Sequence, residues 1–334
     1  MISFKPAFRY FQRHSLNAGF FICENHVKET IDILLATYQG SLYLSDQINS
    51  FLSQTHPHFH LWVRDDGSSD ETRSLLEGFS QKHTDKITLL PTGPRLGIRG
   101  NFSELMKASK ASYAMFSDQD DVWLSHKLEI SLKSLKELEK VYGKNTPLLV
   151  HTDLKVVRSD LSPLAESFWS YSKLEPDKDQ LNRLLIQNVV TGCTMLMNRP
   201  LLELAQPIPD EAIMHDWWIA LVAAAFGQVS YVTTPTILYR QHGNNDTGAK
   251  KCSLKEYWRL RQAGKLVDHH PRTIKQAQQF LNRYGSLLDS ENRHMLEVFV
   301  SLKQLPFLKR KYALLRYQFL KHGWMRKMHQ LIKF

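Results

Sequence analysis

Three carboxylates fall within four residues, Asp118, Asp120 and Asp121, in the stretch Met115-Phe116-Ser117-Asp118-Gln119-Asp120-Asp121-Val122-Trp123. Carboxylates crowded in this way repel one another, and a hard divalent cation relieves that repulsion most directly. Such a cation can in turn hold a diphosphate. The apolar run Tyr113 to Phe116 reads as the end of a buried strand, so the acids arrive at a strand's carboxyl end before a helix that begins near Ser125. A solvated turn whose acids cap that helix would use the same residue types.

Three further stretches have the composition of a site. In Asp65-Asp66-Gly67-Ser68-Ser69-Asp70 the glycine permits a tight turn, and a carboxylate at the strand end suits the N–H of a nucleobase or a ribose hydroxyl. An ordinary strand-to-helix turn would look alike. His215-Asp216 precedes an apolar run, where Asp216 suits either a helix N-cap or a general base at the mouth of a crevice. Arg240-Gln241-His242-Gly243-Asn244-Asn245 is rich in donors: His242 suits a metal's ligand set and Arg240 suits phosphate oxygens, and a plain polar loop is the alternative.

The elements that position these stretches alternate. Ile31 to Ala36 is an almost continuous apolar run, as expected of a parallel strand covered on both faces. A helix over about 41–53, a strand over 59–63, a helix running to about Lys82, a strand over 87–90 and a helix over 101–110 follow, ahead of the Tyr113 strand. This order predicts an α/β fold with a mostly parallel sheet and right-handed crossovers. Ligands bind such sheets outside the carboxyl ends of the strands, so the acidic loops 65–70 and 118–121 should share a crevice. Further on, the pattern predicts a helix from Ser125 to about Tyr142, a strand over 148–152, a helix over 179–187 and a strand over 194–197. It then predicts a buried helix over 217–226 that stops at Gly227, and two short strands, 229–232 and 236–239, separated at Pro235. Beyond Lys250 the chain reads as helical.

The 334 residues, 43% hydrophobic, suffice for one large or two modest domains. Three units are expected: an N-terminal extension over 1–28, a catalytic domain over 29–250, and a helical C-terminal region over 251–334. The formal net charge is +10, but nine Lys or Arg and no acid lie between Lys303 and Lys333. The body is therefore nearly neutral and the basic character belongs to the tail, which points to an acidic surface as partner. Cys23, Cys193 and Cys252 are widely separated, which fits a reducing compartment. The run Ala18 to Cys23 is shorter than a signal-peptide core, and Trp217 to Phe226 is half of a membrane span. A cytoplasmic protein that touches a membrane without crossing it is expected.

Taken in order, Ala36-Thr37-Tyr38, Asp65-Asp66-Gly67-Ser68, Gly97 with Asn101-Phe102, the Asp118 to Trp123 stretch, Thr191-Gly192, His215-Asp216-Trp217 and Arg240 to Asn245 resemble family 2 glycosyltransferases of GT-A fold. Within that family the set is most similar to the rhamnosyltransferase-type branch of bacterial O-antigen and capsule assembly. One departure is visible: Arg95 stands two residues before Gly97, where the pattern has an asparagine.

The resemblance implies an inverting, Mg²⁺- or Mn²⁺-dependent transfer from a nucleotide sugar, dTDP-rhamnose first and UDP-glucose or UDP-galactose as alternatives. The acceptor implied is a surface oligosaccharide carried on a polyprenyl diphosphate. Nucleotide-sugar contacts are implied for Ala36, Thr37, Tyr38, Asp65, Asp66, Gly67, Asn101, Asp118, Gln119 and Trp217. Asp120 and His242 are implied near the metal, and Asp216 as the base. Gly192, Trp218, Arg240 and Asn244 become further candidates for the diphosphate or acceptor. A sugar nucleotidyltransferase would want a basic glycine-rich loop after the first strand, and Ala36-Thr37-Tyr38-Gln39-Gly40-Ser41 lacks Lys and Arg. A nucleic-acid-binding protein driven by the tail would leave the acidic crevice unexplained, and no nucleic acid is expected. Leu308, Tyr312, Leu315 and Phe319 recur at helical spacing among basic residues, a pattern suited to an anionic membrane surface or to packing on the body.

Overall fold

A computed structural model describes residues 29–243, 248–249 and 270–333. The expected N-terminal extension, Asn244, Asn245 and the first part of the C-terminal region lie outside them. Strand β1, Ile31–Thr37, is the centre of the first half. Its one charged residue, Asp32, is buried, and its carboxylate accepts hydrogen bonds from Ser109 Oγ and from the Lys110 and Ala111 N–H groups. β1 pairs in parallel with β2 (Phe59–Asp65) on one side and β4 (Tyr113–Ser117) on the other, and β3 (Ile87–Leu89) continues beyond β2. Thr37 lies opposite Asp65, and Leu35 opposite Ser117. This register brings the loops after β1, β2 and β4 to one edge, as the alternation predicted. Helices α1 (Leu44–Leu52), α2 (Thr72–Lys82) and α3 (Gly97–Ala108) make the crossovers.

The second half is mixed. β6 (Leu148–Arg158) runs parallel to the long β9 (Gln228–Gln241), and β8 (Leu196–Asn198) lies antiparallel between β4 and β6. β7 (Pro163–Ala165) folds back on β6. The sheet order is β3-β2-β1-β4-β8-β6-β9, closed by β5 (Val122–Trp123) antiparallel to β9. Only the loop 118–121 separates β4 from β5, yet β5 pairs on the far side of β8, β6 and β9. The sheet therefore curls, and the acidic loop bridges the curl.

Several expectations change. The two strands expected around Pro235 are one strand, β9, whose ladder with β6 shifts register where Asp153 faces Pro235. Proline lacks the N–H for a regular rung, so the strand is irregular there without ending. The helix expected over 179–187 is a single turn, α6 (Leu181–Leu184), and 194–197 divides into a 3₁₀ turn, Gly192–Thr194, and β8. The short strand β5 and helices α5 (Phe168–Ser172) and α7 (Arg199–Leu204) were not expected.

Helix α4 (Lys127–Tyr142) covers one face of the sheet, and α8 (His215–Phe226) is buried along most of its length, as its apolar sequence requires. C-terminal helices α9 (His270–Tyr284) and α10 (Ser290–Ser301) belong to the same apolar core as α8, with the Phe280 ring 5.4 Å from that of Trp218. Helices α11 (Phe307–Arg316) and α12 (Trp324–Lys333) follow.

Candidate active site

The loop after β1 is fastened to its neighbours by side chains. Gln119 makes a two-point clamp on the backbone of Tyr38: the Tyr38 N–H donates to Gln119 Oε1 and Gln119 Nε2 donates to the Tyr38 carbonyl, each at 2.8 Å. A Cβ on Gly40 would collide with Gln119 Oε1, so the clamp requires glycine there. The Gln39 N–H donates to Ser68 Oγ and the Gly40 N–H to Thr72 Oγ1, tying the β1 loop to the β2 loop.

In the β2 loop the two carboxylates do different work. Asp65 accepts from Thr37 Oγ1 at 3.0 Å and from the Gly67 and Ser68 N–H groups, so it shapes its own turn. Asp66 is buried, paired with Arg64 at 2.8 Å, and accepts from the Leu96 and Gly97 N–H groups at the start of α3. Asn101 joins this network, accepting from Arg64 Nη1 and donating to the Arg64 carbonyl. The result is a fixed approach for Arg95, whose guanidinium lies 3.9 Å above the Tyr38 ring. The residue that departs from the family pattern therefore packs on the Tyr38 ring. Ala36, half-buried, lies one residue before Thr37 on β1.

In the acidic loop, Asp118 and Asp120 are partly exposed and Asp121 is fully buried. Asp121 Oδ1 accepts from the Arg240 N–H at 3.0 Å, whereas Oδ2 has no partner among the described residues. Burial first, then the neighbouring charges of Asp120 and Asp118, push the Asp121 carboxyl well above its ordinary range. Oxygens of Asp118 and Asp121 and Sγ of Cys193 lie within 4.8 Å of one another. Asp120 Oδ2 is 2.8 Å from His242 Nε2, and the His242 ring packs on Tyr43. An orphaned buried carboxylate oxygen amid two more carboxylates is an oxygen-rich donor set that fits a hard divalent cation.

Arg240 is a structural clamp. It is buried, and its guanidinium donates to the carbonyls of Asp120 and Ser159 and to Asp46 Oδ2, while stacking on Tyr43 at 4.3 Å. These contacts occupy donors that the sequence had offered to phosphate oxygens. Trp218, a further candidate for the diphosphate or acceptor, is fully buried in the core with its indole N–H on the Ala205 carbonyl.

Asp216 lies in the first turn of α8. Met214 holds the N-cap position, so the capping role that its sequence position suggested is not the one it has. Its carboxylate accepts from the Gly192 N–H at 3.0 Å and from the Trp217 N–H, and burial pushes its pKa up to about 7. A carboxyl group at that value is suited to taking a proton near neutral pH. Trp217 donates its indole N–H to the Leu184 carbonyl. Beside Asp216, His215 is packed against Phe102 and Phe116 and burial lowers its pKa to about 3, so it is a neutral wall. Gly192 bonds to Asp216 and the next residue, Cys193, lies in the acidic cluster. One turn thus joins the candidate base to the candidate cation site.

With this geometry, the comparisons fall into place. The family model for glycosyl transferase family 2 matches residues 32–204. The chain belongs to glycosyl transferase family 2. It is 26% identical over 239 residues to a dTDP-rhamnosyl transferase, RfbG, of Shigella flexneri, covering 68% of this chain and 78% of the relative. It is 28% identical over 232 residues to the Escherichia coli UDP-Glc:alpha-D-GlcNAc-diphosphoundecaprenol beta-1,3-glucosyltransferase WfgD, covering 68% and 83%. Among solved structures, residues 1–349 of S. aureus TarS share 16% identity at a TM-score of 0.50, covering 85% of this chain and 83% of that one. The mannosyltransferase PcManGT of Pyrobaculum calidifontis, in complex with GDP-Man and Mn²⁺, also shares 16% identity at a TM-score of 0.50, covering 86% and 72%. The fold is GT-A, and this family 2 glycosyltransferase uses a nucleotide-sugar donor.

Two residues of the site have roles that the sequence did not single out. Asp121 was visible as a carboxylate, but that it would be the buried member depended on the pairing of β5 with β9. Cys193 is a lone cysteine, and nothing around it in the chain announces an acidic neighbour.

Proposed function

We propose that this glycosyltransferase is an inverting hexosyltransferase that extends a polyprenyl-diphosphate-linked oligosaccharide at the inner face of the cytoplasmic membrane. The donor favoured is dTDP-rhamnose, supported by the name of the Shigella relative. A UDP-hexose, glucose or galactose, is the alternative, supported by the Escherichia coli relative, whose name also carries a diphosphoundecaprenol acceptor. The observation that carries the reading is the Asp216 carboxyl, raised to about 7 and held by the turn that enters the acidic cluster.

In the step proposed, the acceptor hydroxyl oxygen attacks the anomeric carbon, the bond from that carbon to the diphosphate breaks, and Asp216 takes the hydroxyl proton. The nucleoside diphosphate departs on the opposite face, so the anomeric configuration inverts. Asp216 is oriented by the Gly192 and Trp217 N–H groups. Tyr38 and Arg95 line the nucleoside side, with Thr37, Asp65, Asp66 and Asn101 holding that rim in shape. Asp120, paired with His242 and next to the Asp118 and Asp121 cluster, would hold a Mg²⁺ or Mn²⁺, which supplies charge neutralisation for the leaving diphosphate.

A thermal-shift panel of sugar nucleotides with and without Mn²⁺, run on the native chain and on Asp120→Ala, tests the donor side. A metal-dependent shift with dTDP-rhamnose that the variant loses supports the reading. A shift with a UDP-hexose alone moves it to the alternative, and no shift with any nucleotide sinks it.

A further inference from the structure

The C-terminal stripe predicted over 308–319 divides in the structure. Helix α11 ends at Arg316, and Phe319 turns into the core with Leu314 and Ala313. Leu308, Tyr312 and Leu315 remain outside, Leu308 being 78% exposed. Helix α12 repeats the arrangement: Trp324, Met328 and Ile332, spaced i, i+4 and i+8, face solvent, with Trp324 71% and Ile332 77% exposed. Lys309, Arg316 and Lys327 are exposed beside these residues, and the sequence holds no acid after Glu297.

These helices are also tied to the acceptor side of the site. The segment between α5 and the Gly192 turn bonds repeatedly to the link that joins them: Asn182 Nδ2 donates to the Tyr317 carbonyl, the His322 N–H to Gln187 Oε1, and the Gly323 N–H to Glu175 Oε1. In the same segment the Leu184 carbonyl receives the indole N–H of Trp217, the neighbour of Asp216.

We propose that α11 and α12 form a docking surface for an anionic bilayer, fastened through residues 173–187 to the catalytic base, so that a membrane-borne acceptor meets Asp216 from a fixed direction. The acceptor half rests on the lipid-linked reading above; the lipid surface does not. Two exposed apolar stripes set among cations, with no acid between them, match an interface of acyl chains and anionic headgroups. A second copy of this chain fits poorly, because it would set two acid-free basic surfaces against each other. Nucleic acid would satisfy the charges and leave Leu308, Met328 and Ile332 without partners.

The test is flotation of the full chain with vesicles of phosphatidylcholine, alone or mixed with phosphatidylglycerol. It would be run on the native protein, on Leu308→Ser with Tyr312→Ser, on Trp324→Ser with Ile332→Ser, and on Val141→Ser, an exposed apolar position elsewhere. Salt-sensitive binding to the anionic vesicles is expected, lowered about tenfold or more by either double variant and unchanged by Val141→Ser. The nucleotide-induced thermal shift should stay native in every variant, which separates failure of this surface from failure of the donor site. Equal binding to both vesicles, binding indifferent to the double variants, RNA binding in place of vesicle binding, or self-association that the same variants abolish would each overturn the proposal.

Discussion

Asp120 Oδ2 and His242 Nε2 are 2.8 Å apart, although 122 residues separate them in the chain. The contact joins the acidic loop to the end of β9 and is possible because the sheet curls until β5 pairs with β9. It gives His242 an orienting role toward a carboxylate that would face the cation. Asp120→Ala is expected to abolish metal-dependent transfer. His242→Ala should leave transfer measurable but raise the Mn²⁺ concentration for half-activity by roughly 10–100-fold, the usual cost of losing an outer partner of a metal ligand. A metal titration of initial rates separates the two, and an unchanged half-saturating concentration in His242→Ala would remove it from the cation site.

Asp216 is expected to govern the pH profile. As a base it works when ionised, so transfer should fall about tenfold per pH unit below pH 7 and level off above it, with donor binding flat across the same range. Asp216→Asn should retain donor binding and lose roughly 10²–10⁴-fold in turnover. Stability gives an independent reading. The native carboxyl keeps its proton up to about 7, whereas the unfolded one releases it near 3.8, so the native state binds more protons between these values. Wild-type stability must therefore fall as pH rises through that window, a loss that Asn escapes. The melting temperature of Asp216→Asn relative to wild type should climb from pH 4 to 7 and then stay constant.

The Arg240 clamp leads to a different expectation from a phosphate contact. Removing the guanidinium strips donors from the Asp120 and Ser159 carbonyls and ends the pair with Asp46, so Arg240→Met should cost about 2–4 kcal/mol of stability. The acidic loop would loosen as a whole. Isothermal titration should then show weaker binding of free nucleoside and nucleoside diphosphate by similar factors. A loss confined to ligands that carry the diphosphate would return Arg240 to the phosphate site.

These residues also mark how far the sequence could be read. β1, β2 and β4 were legible because parallel strands covered on both faces are apolar runs, and their register alone brings Thr37, Asp65 and the acidic loop to one edge. The second half was legible only in part. β5 has two residues, too short for any period to register, β8 is the end of a run expected to be strand from Thr194 on, and β9 is held through Pro235 by pairing with β6 rather than by its own composition. Arg240 and Trp218 show the corresponding limit for side chains. A sequence gives the donor capacity of an arginine or an indole, but whether those donors face a crevice or a neighbouring carbonyl is decided by long-range packing.

Two glycine substitutions should separate the donor half of the site from the acceptor half. At Gly40 a methyl group meets Gln119 Oε1, the end of a flexible side chain, which can swing away only by giving up both hydrogen bonds to the Tyr38 backbone. Gly40→Ala should therefore free the β1 loop, weaken nucleotide binding about tenfold, and leave turnover at saturating donor nearly intact. At Gly192 a methyl group would stand 3.0 Å from His215 Nε2 and 3.5 Å from Asp216 Cβ. The His215 ring, wedged between Phe102 and Phe116, must give by a few tenths of an ångström, and the next residue on α8, Asp216, whose carboxylate accepts from the Gly192 N–H, is displaced with it. Misplacing a base by about an ångström costs on the order of 100-fold in rate, so the smaller shift in Gly192→Ala should depress turnover by a few-fold to about tenfold while donor affinity holds. Steady-state kinetics with donor varied at fixed acceptor reads both. The same pattern of change in the two variants would mean that the clamp at Tyr38 and the turn at Gly192 do not serve separate halves of the reaction.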